Sequence, residues 1–508
     1  MRLTKTTSQA SLATMSFALE PAGIRPGQGH MALYVLLGFS AGLPFYMFST
    51  VLTLRLQAHE VGLVIIGFFA WVQMLPTFKF LWAPLIDRYE IPGFARYWGK
   101  RRSWIMLSQL GIFTSLVAMA LTASDQSLKV TALFAVLLAF WTTTLEVAAD
   151  AWRIELAPDR QTQGPLTAAN LWGYRTAMIA AGGGALLVAD HLGWAASYLV
   201  VALGAFAPFL VLAAMPPGPD HGGGRGVALV TGAIASALIL LCALAVAAII
   251  GTVLLGAAAR IGINQDSNVT PYVLVLCMLP FIAMAATIPR IRRAGPHSWL
   301  RTSVAIGPYA DFFRRYGFMA LALMAFVSIY RMGDVLALNL SKPMIRELGY
   351  SLGEIGRADS YVALAANIIG VGLGGWMAAR WRQELALGIG AAFAAFGNFS
   401  FVWLAHQEVS STMLYLATAA DQFGNGMASA VFVVYLSLLV NPHFAGAQYA
   451  FLSGFAFLLP RLLSGAGGAM VVRIGYQDFF VLSGVVSLAA ILFLPLIARA
   501  KPQADERP

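Results

Sequence analysis

KFLWAPLIDRYEIPGFARYWGKRRSW, residues Lys79–Trp104, decides the fold. It sits between two apolar runs and gathers Asp87, Arg88, Glu90, Arg96, Lys100, Arg101 and Arg102, with Lys79 still inside the first run. A short basic connection between hydrophobic segments is the mark of a cytoplasmic loop between membrane spans. The whole chain agrees: 508 residues are 59% hydrophobic and 11% charged, against roughly 25% charged in a soluble domain. This composition reads as an all-α polytopic membrane protein. A net charge of +10 would suggest nucleic acid in a soluble protein. Here the basic residues lie in short connections, where they set orientation, so no nucleic-acid partner is expected.

A helix needs about 20 mostly apolar residues to cross a hydrocarbon core of about 30 Å. That length gives fourteen spans, near 31–55, 60–85, 103–122, 130–151, 167–189, 194–214, 226–250, 271–289, 317–340, 355–379, 385–404, 411–436, 447–470 and 477–498. With the N-terminus cytoplasmic, most of the 33 basic residues fall inside, and Arg55, Lys129, Arg260, Lys342, Arg346, Arg357 and Arg473 fall outside or at outer span ends. Both termini are therefore expected in the cytoplasm. Residues 1–30 form a tail without a removable signal peptide, 31–215 a six-helix half and 216–300 a linker with two additional transmembrane helices. Residues 301–500 form the second six-helix half and 501–508 the last tail. The two extra spans are expected to pack on the outside of the core. Cys242 and Cys277 lie in apolar runs and read as packing residues, with no disulfide.

Two six-helix halves joined by a basic connection are the plan of the major facilitator superfamily. GFSAGLPF (Gly38–Phe45), KFLWAPLIDRY (Lys79–Tyr89), DAWRIELAP (Asp150–Pro158), GYR (Gly173–Arg175), YRMGD (Tyr330–Asp334), GNGMASAVF (Gly424–Phe432) and AQYAFLSG (Ala447–Gly454) stand in order along both halves. Together they resemble the AmpG family of inner-membrane muropeptide permeases. The resemblance implies a cargo of N-acetylglucosamine-1,6-anhydro-N-acetylmuramic acid, with or without a stem peptide. Acetyl-CoA transporters share part of the wording, so acetyl-CoA or another polar anion is the alternative cargo. The chain departs from the family pattern at Leu145-Glu146, where members often have Gln-Asp, and at Arg331, where they have Lys. Its extra spans fall between the halves, whereas some relatives place them at the C-terminus.

Charges at membrane depth need partners or a watered cavity. Glu146 and Asp150 share a helix face at i, i+4, and two like charges that close favour one holding a proton, as a proton carrier requires. The alternative is a structural ion pair with Arg175 or Arg331. Arg331 and Asp334 at i, i+3 can pair within one helix, either permanently or until a proton on Asp334 releases Arg331 for an anionic cargo. Tyr330, one turn from Asp334, can hydrogen-bond it. Tyr174, Arg175, Asn425, Gln448 and Arg461 complete the expected cargo-binding set, and Asp421 joins Glu146, Asp150 and Asp334 as a proton-coupling candidate. Gln448 and Arg461 are 13 residues apart, so only one points straight at a central cavity unless the helix bends at Pro460. Lys79 is expected to snorkel to the nearby surface. Gly38 and Gly42 read either as a helix contact or as a broken helix at the cargo site. Trp71, Trp141, Trp152 and Trp172 read as sugar-stacking or interfacial residues.

In the superfamily the connection after the second span carries an Asp-Arg and a basic cluster, here Asp87-Arg88 and Lys100-Arg101-Arg102. A carboxylate there can meet a facing helix N-terminus and hold one side closed, so Asp87, Arg88, Arg101 and Arg102 are the expected gating residues. The alternative reading is a set of orientation anchors. All seven histidines fall in tails or connections, and H-E-x-x-H, G-x-S-x-G and phosphate-loop motifs are missing. No metal or cofactor is expected, and a membrane-embedded transferase using paired carboxylates is the lesser alternative to transport, for want of a loop large enough to bind a donor. The expectation is a monomeric inner-membrane secondary transporter, working by alternating access and proton symport, whose partners are the bilayer, protons and an anhydromuropeptide.

Overall fold

The computed structural model describes residues 28–59, 71–91, 94–122, 128–216, 270–295, 297–338, 340–464 and 466–500. The expected tails 1–27 and 501–508, the start of the 60–85 span, Cys242 and the whole 226–250 span lie outside the described residues. No strand occurs among the described residues.

The first half begins with α1 (Gln28–Tyr46), which widens into a π turn at Met47–Val51 and continues to Ala58. Pro44 removes one helical N–H at that turn, and Ser49 Oγ donates to Phe45 O at 2.6 Å. The helix α2 (Trp71–Leu81) contains Pro76 and winds as a tight 3₁₀ helix. Next come α3 (Lys100–Leu121), α4 (Leu128–Leu156) and α5 (Arg160–Ile179), the last capped by Asp159, whose carboxylate accepts from Thr162 N at 3.0 Å. The half closes with α6 (Ala185–Ala214). After the linker come α7 (Thr270–Arg293) and the short α8 (Gly307–Tyr316). The second half comprises α9 (Met319–Leu338), α10 (Ala363–Arg380), α11 (Gln383–Leu404), α12 (Ser411–Leu439), α13 (Ala445–Ser464) and α14 (Gly467–Ala489).

Nine of the described stretches are long and apolar enough to cross a membrane. One of them, Arg160–Ala214, runs 55 residues and holds two passes that meet at Gly193, where φ is +84°. The second half repeats the device at Gly475, with φ +79°. Leu192-Gly193-Trp194 and Ile474-Gly475-Tyr476 thus turn the chain in the same way in each half.

Small residues let the helices touch backbone to backbone. Gly38 of α1 faces Asn170 O of α5, and a methyl on Gly173 of α5 would overlap Val35 O of α1. Gly38 and Gly42 therefore form a helix contact. Each half has its own apolar core, and the two interlock near the ends of α4 and α13. Ala447 and Ala450 of α13 pack into the first core, while Ala151 and Ile154 of α4 pack into the second. This end of the bundle also carries Arg88, Lys100, Arg101, Arg102, Arg160 and Arg380, and is called the basic end.

The helix α7 lies outside the second half. Cys277, Met284 and Ile288 face the core, Phe281 meets Phe455 edge to face at 5.5 Å, and Met278, Leu279 and Ile282 are exposed. Through α8 the linker reaches the basic end, since Phe312 and Phe313 are buried against Phe451.

A methyl at position 193 would meet nothing within 4 Å, so Gly193→Ala isolates the backbone term. It should cost about 1–3 kcal/mol, the strain of a non-glycine residue in that region. Gly173→Ala, which forces α1 and α5 apart, should lower the apparent melting temperature further. Thermal unfolding in detergent checks the order.

Candidate functional site

Between the halves lies a cavity of two connected lobes, which share Arg175, Met178 and Leu338. The deeper lobe, about 380 Å³, is walled by Lys79 and Thr77 of α2, Glu146 and Asp150 of α4, Tyr174 of α5, Arg331 of α9, Ser429 of α12 and Arg461 of α13. The second lobe, about 200 Å³, is lined by Asp334, Asn367, Thr418, Asp421 and Asn425. It reaches the surface at the ion pair Lys342–Asp359, whose side chains are 61% and 43% exposed.

Most charges around the deeper lobe are matched. Lys79 does not snorkel: it is buried and its Nζ lies 3.6 Å from Glu146 Oε2. Arg331 Nη1 donates to Asp334 Oδ2 at 3.0 Å and to Ser429 Oγ at 3.1 Å. Asp150 meets neither Arg175 nor Arg331 and instead accepts from Arg153 Nη2 at 3.0 Å. Arg153 was not among the expected site residues, yet it is fully buried and organises this region. Its Nη1 donates to Gln163 Oε1 and Thr167 Oγ1, each at 2.7 Å, and to Ser437 Oγ at 3.1 Å, and its guanidinium lies 5.6 Å from the Tyr449 ring. The signal in the sequence was the i, i+3 spacing of Asp150 and Arg153 within DAWR.

Three charged groups on the cavity have no oppositely charged partner among the described residues. Arg175 donates to Asn425 Oδ1 at 3.4 Å and Met178 Sδ at 3.5 Å. Arg461 donates to Thr77 Oγ1 at 2.6 Å and Gln73 O at 3.4 Å, and lies 5.5 Å from the Phe457 ring. Asp421 accepts only from Gln422 Nε2, at 2.9 Å.

Two expected binding residues lie elsewhere. Tyr330 is buried, stacked on Phe432 at 5.0 Å, and donates to Leu387 O at 3.2 Å, not to Asp334. Gln448 faces away from the cavity, as its spacing from Arg461 allows. Its Oε1 accepts from Arg315 Nη2 and Asn441 N, each at 2.7 Å, and its Nε2 donates to Pro308 O and Asp311 Oδ2 at 2.8 and 2.9 Å. It joins α8 to the start of α13. Trp172 also stays out of the two lobes, donating from Nε1 to Ile368 O across the halves at 2.9 Å. Trp141 and Trp152 are likewise not lobe residues, and the side chain of Trp71 lies outside the described groups.

At the basic end Asp87 spans the halves. Its Oδ1 accepts from Gly446 N at 3.1 Å and its Oδ2 from Ala447 N at 2.7 Å, both donors in the first turn of α13. Free N–H groups and the helix dipole make such a turn a carboxylate site. Arg101 Nη2 donates to Asp87 Oδ1 at 2.7 Å and to Glu155 Oε1 at 2.6 Å, and Lys100 Nζ donates to Asp87 O. Glu155, within the DAWRIELAP stretch, was missed by the sequence reading. A methyl on Gly446 would stand 2.7 Å from Asp87 Oδ1. Arg102 instead reaches Pro216 O at 2.9 Å, and Arg88 is exposed in a separate cleft with Arg301 and His443. The structure is thus closed at the basic end and open at the other.

Residues 321–508 match the family model described as Major Facilitator Superfamily. Over 461 residues the chain is 25% identical to a Rickettsia conorii protein named putative transporter AmpG 4, covering 90% of this chain and 94% of that one. Over 472 residues it is 26% identical to the anhydromuropeptide permease of Escherichia coli K12, covering 92% of this chain and 79% of the relative. Among solved structures, the proton:xylose symporter XylE is similar with a TM-score of 0.60 at 13% identity, over 93% of this chain and 97% of that chain, a likeness of fold.

Removing one member of a buried ion pair leaves the other charge uncompensated, at a cost of about 3–5 kcal/mol. Lys79→Met should therefore lower the apparent melting temperature markedly. Adding Glu146→Gln should recover most of the loss, which thermal scans of the three variants in detergent will measure.

Proposed function

We propose that this chain, with its AmpG-type homologues, is a major facilitator that imports cell-wall turnover fragments across the bacterial inner membrane by proton symport and alternating access. The basic end faces the cytoplasm in this reading, by the positive-inside rule, and the open lobe faces the periplasm. The observation that carries the reading is the pair of cavity guanidiniums, Arg175 and Arg461, left without a carboxylate while Lys79, Arg153 and Arg331 each have one. A guanidinium fork recognises carboxylates in two-point geometry. A disaccharide of N-acetylglucosamine and 1,6-anhydro-N-acetylmuramic acid bearing a stem peptide supplies such carboxylates. Asn425, Ser429, Thr418 and Tyr174 supply partners for its amides and hydroxyls.

Proton coupling rests on Asp421, a cavity carboxylate with no cation beside it among the described residues. Glu146, Asp150 and Asp334 each hold a basic partner, so a proton taken there must also release that partner. Moving one charge down 100 mV releases about 2.3 kcal/mol, enough for roughly 50-fold accumulation. Asp87 and Arg101 form the cytoplasmic latch, which breaks when the halves rock and so biases the equilibrium without touching cargo. Tyr330 and Gln448 act as packing and hub residues in this scheme.

Labelled anhydromuropeptide and right-side-out vesicles test the reading. Accumulation should occur and should collapse with a proton uncoupler. No uptake by folded, correctly inserted protein would overturn the cargo and move it to another polar anion, such as a coenzyme A ester. Arg175→Gln and Arg461→Gln should each raise the KM for peptide-bearing cargo about tenfold or more, the worth of a charged hydrogen bond. Asp421→Asn should abolish accumulation yet preserve exchange down a cargo gradient, and equal loss of both activities would remove it from coupling.

A further inference from the structure

A groove of about 660 Å³ lies on the seam between the halves, where α5 meets α10, with Met31 of α1 at its side. It is separate from the cargo cavity. Beyond Gln161 beside its mouth the wall is apolar and low: Pro165 and Ala168 on α5, Gly372, Gly375 and Ala379 on α10. Trp172 closes the deep end, since its indole donates to Ile368 O and its Cζ2 would stand 3.0 Å from a methyl on Gly372. From Arg160 to Trp172 the groove follows about three turns of α5, or about 18 Å at 1.5 Å per residue. One leaflet of hydrocarbon is about 15 Å deep.

The shallow end changes character. Arg160 and Arg380 both line it at the basic end, and both are exposed. Arg160 Nη1 donates to Trp381 O at 2.9 Å, and the neighbouring carboxylate of Asp159 is turned to Thr162 N. Arg380 has no carboxylate partner among the described residues. Trp376, 46% exposed, stands beside them and meets Trp381 edge to face at 5.6 Å, the placing of an indole at a membrane interface.

We propose that this groove binds one anionic phospholipid from the leaflet at the basic end. Its phosphate lies between Arg160 and Arg380, and one acyl chain runs up the seam to Trp172. Apolar depth and cationic mouth together select an acyl chain with a negative headgroup, a chemistry that neither free phosphate nor a zwitterionic lipid provides in full. Because α5 and α10 belong to different halves, the groove changes shape when the halves rock, so its lipid distinguishes the two states of the transporter.

Native mass spectrometry of the full-length protein, titrated with phosphatidylglycerol, phosphatidylcholine or glycerol 3-phosphate, tests the site without any cargo. Phosphatidylglycerol should be retained most tightly and glycerol 3-phosphate not at all. One arginine near an anionic headgroup is worth about 1 kcal/mol, so Arg380→Gln should weaken phosphatidylglycerol about fivefold, and Arg380→Lys should restore it. Arg382, whose side chain is 85% exposed outside the groove, provides the control, and Arg382→Gln should change nothing. Equal retention of the two lipids, no effect of Arg380→Gln, or an equal effect of Arg382→Gln would overturn the proposal.

Discussion

Arg153 is the residue on which the closed arrangement turns. A guanidinium removed from water must direct its donors at acceptors, because stranding them in an apolar bundle costs several kcal/mol. No single helix meets that demand here. Asp150 comes from its own helix, Gln163 and Thr167 from α5, Ser437 from α12, and the Tyr449 ring from α13. Two of those contacts cross the seam between the halves. Opening the basic end would pull Ser437 and Tyr449 away, and water entering the gap would have to take their place. Contacts of this kind hold the described arrangement as a discrete one, since a partial separation would lose the partners before water could replace them.

Matching charge to charge inside the bundle also explains the character of the cavity. Once Lys79, Arg153 and Arg331 are matched by Glu146, Asp150 and Asp334, the remaining field comes from Arg175, Arg461 and Asp421. Two positive groups and one negative group face a partly watered space from α5, α12 and α13. The cavity thus presents charge beside the amides and hydroxyls of Asn425, Thr418 and Ser429. The deeper lobe adds the apolar rings of Phe45, Phe432 and Phe457.

Much of this was legible in the chain itself. Apolar length places the long described helices, since a helix is the spanning structure that satisfies its own backbone groups, but it gives no sign of the short polar-faced α8. Spacing alone predicts the Arg331–Asp334 pair and the failure of Gln448 and Arg461 to point the same way. The Asp87 and Arg101 contacts follow from a pattern of residue types in the loop. What spacing does not reveal is pairing between helices: Lys79 and Glu146 are 67 positions apart, and Glu155 reaches Arg101 from 54 positions away. Tyr330 and Gln448 mislead for the same reason. Both are polar residues in an apolar setting, but their hydrogen-bond partners are the backbone of α11 and the residues around α8, which only the packed structure identifies.

The latch at Asp87 has an unequal genetic footing on its two sides. Its acceptor is a side chain, which one nucleotide change can remove. Its donors on α13 are main-chain N–H groups, which every residue but proline supplies at position 447. Position 446 is the exception, because a side chain there would press on the carboxylate it is meant to hold. Spontaneous variants that loosen this contact should therefore cluster at 87, 101 and 446, while the rest of that first turn is held for another reason, Ala445 and Ala447 by close packing and Gln448 by its bonds to α8.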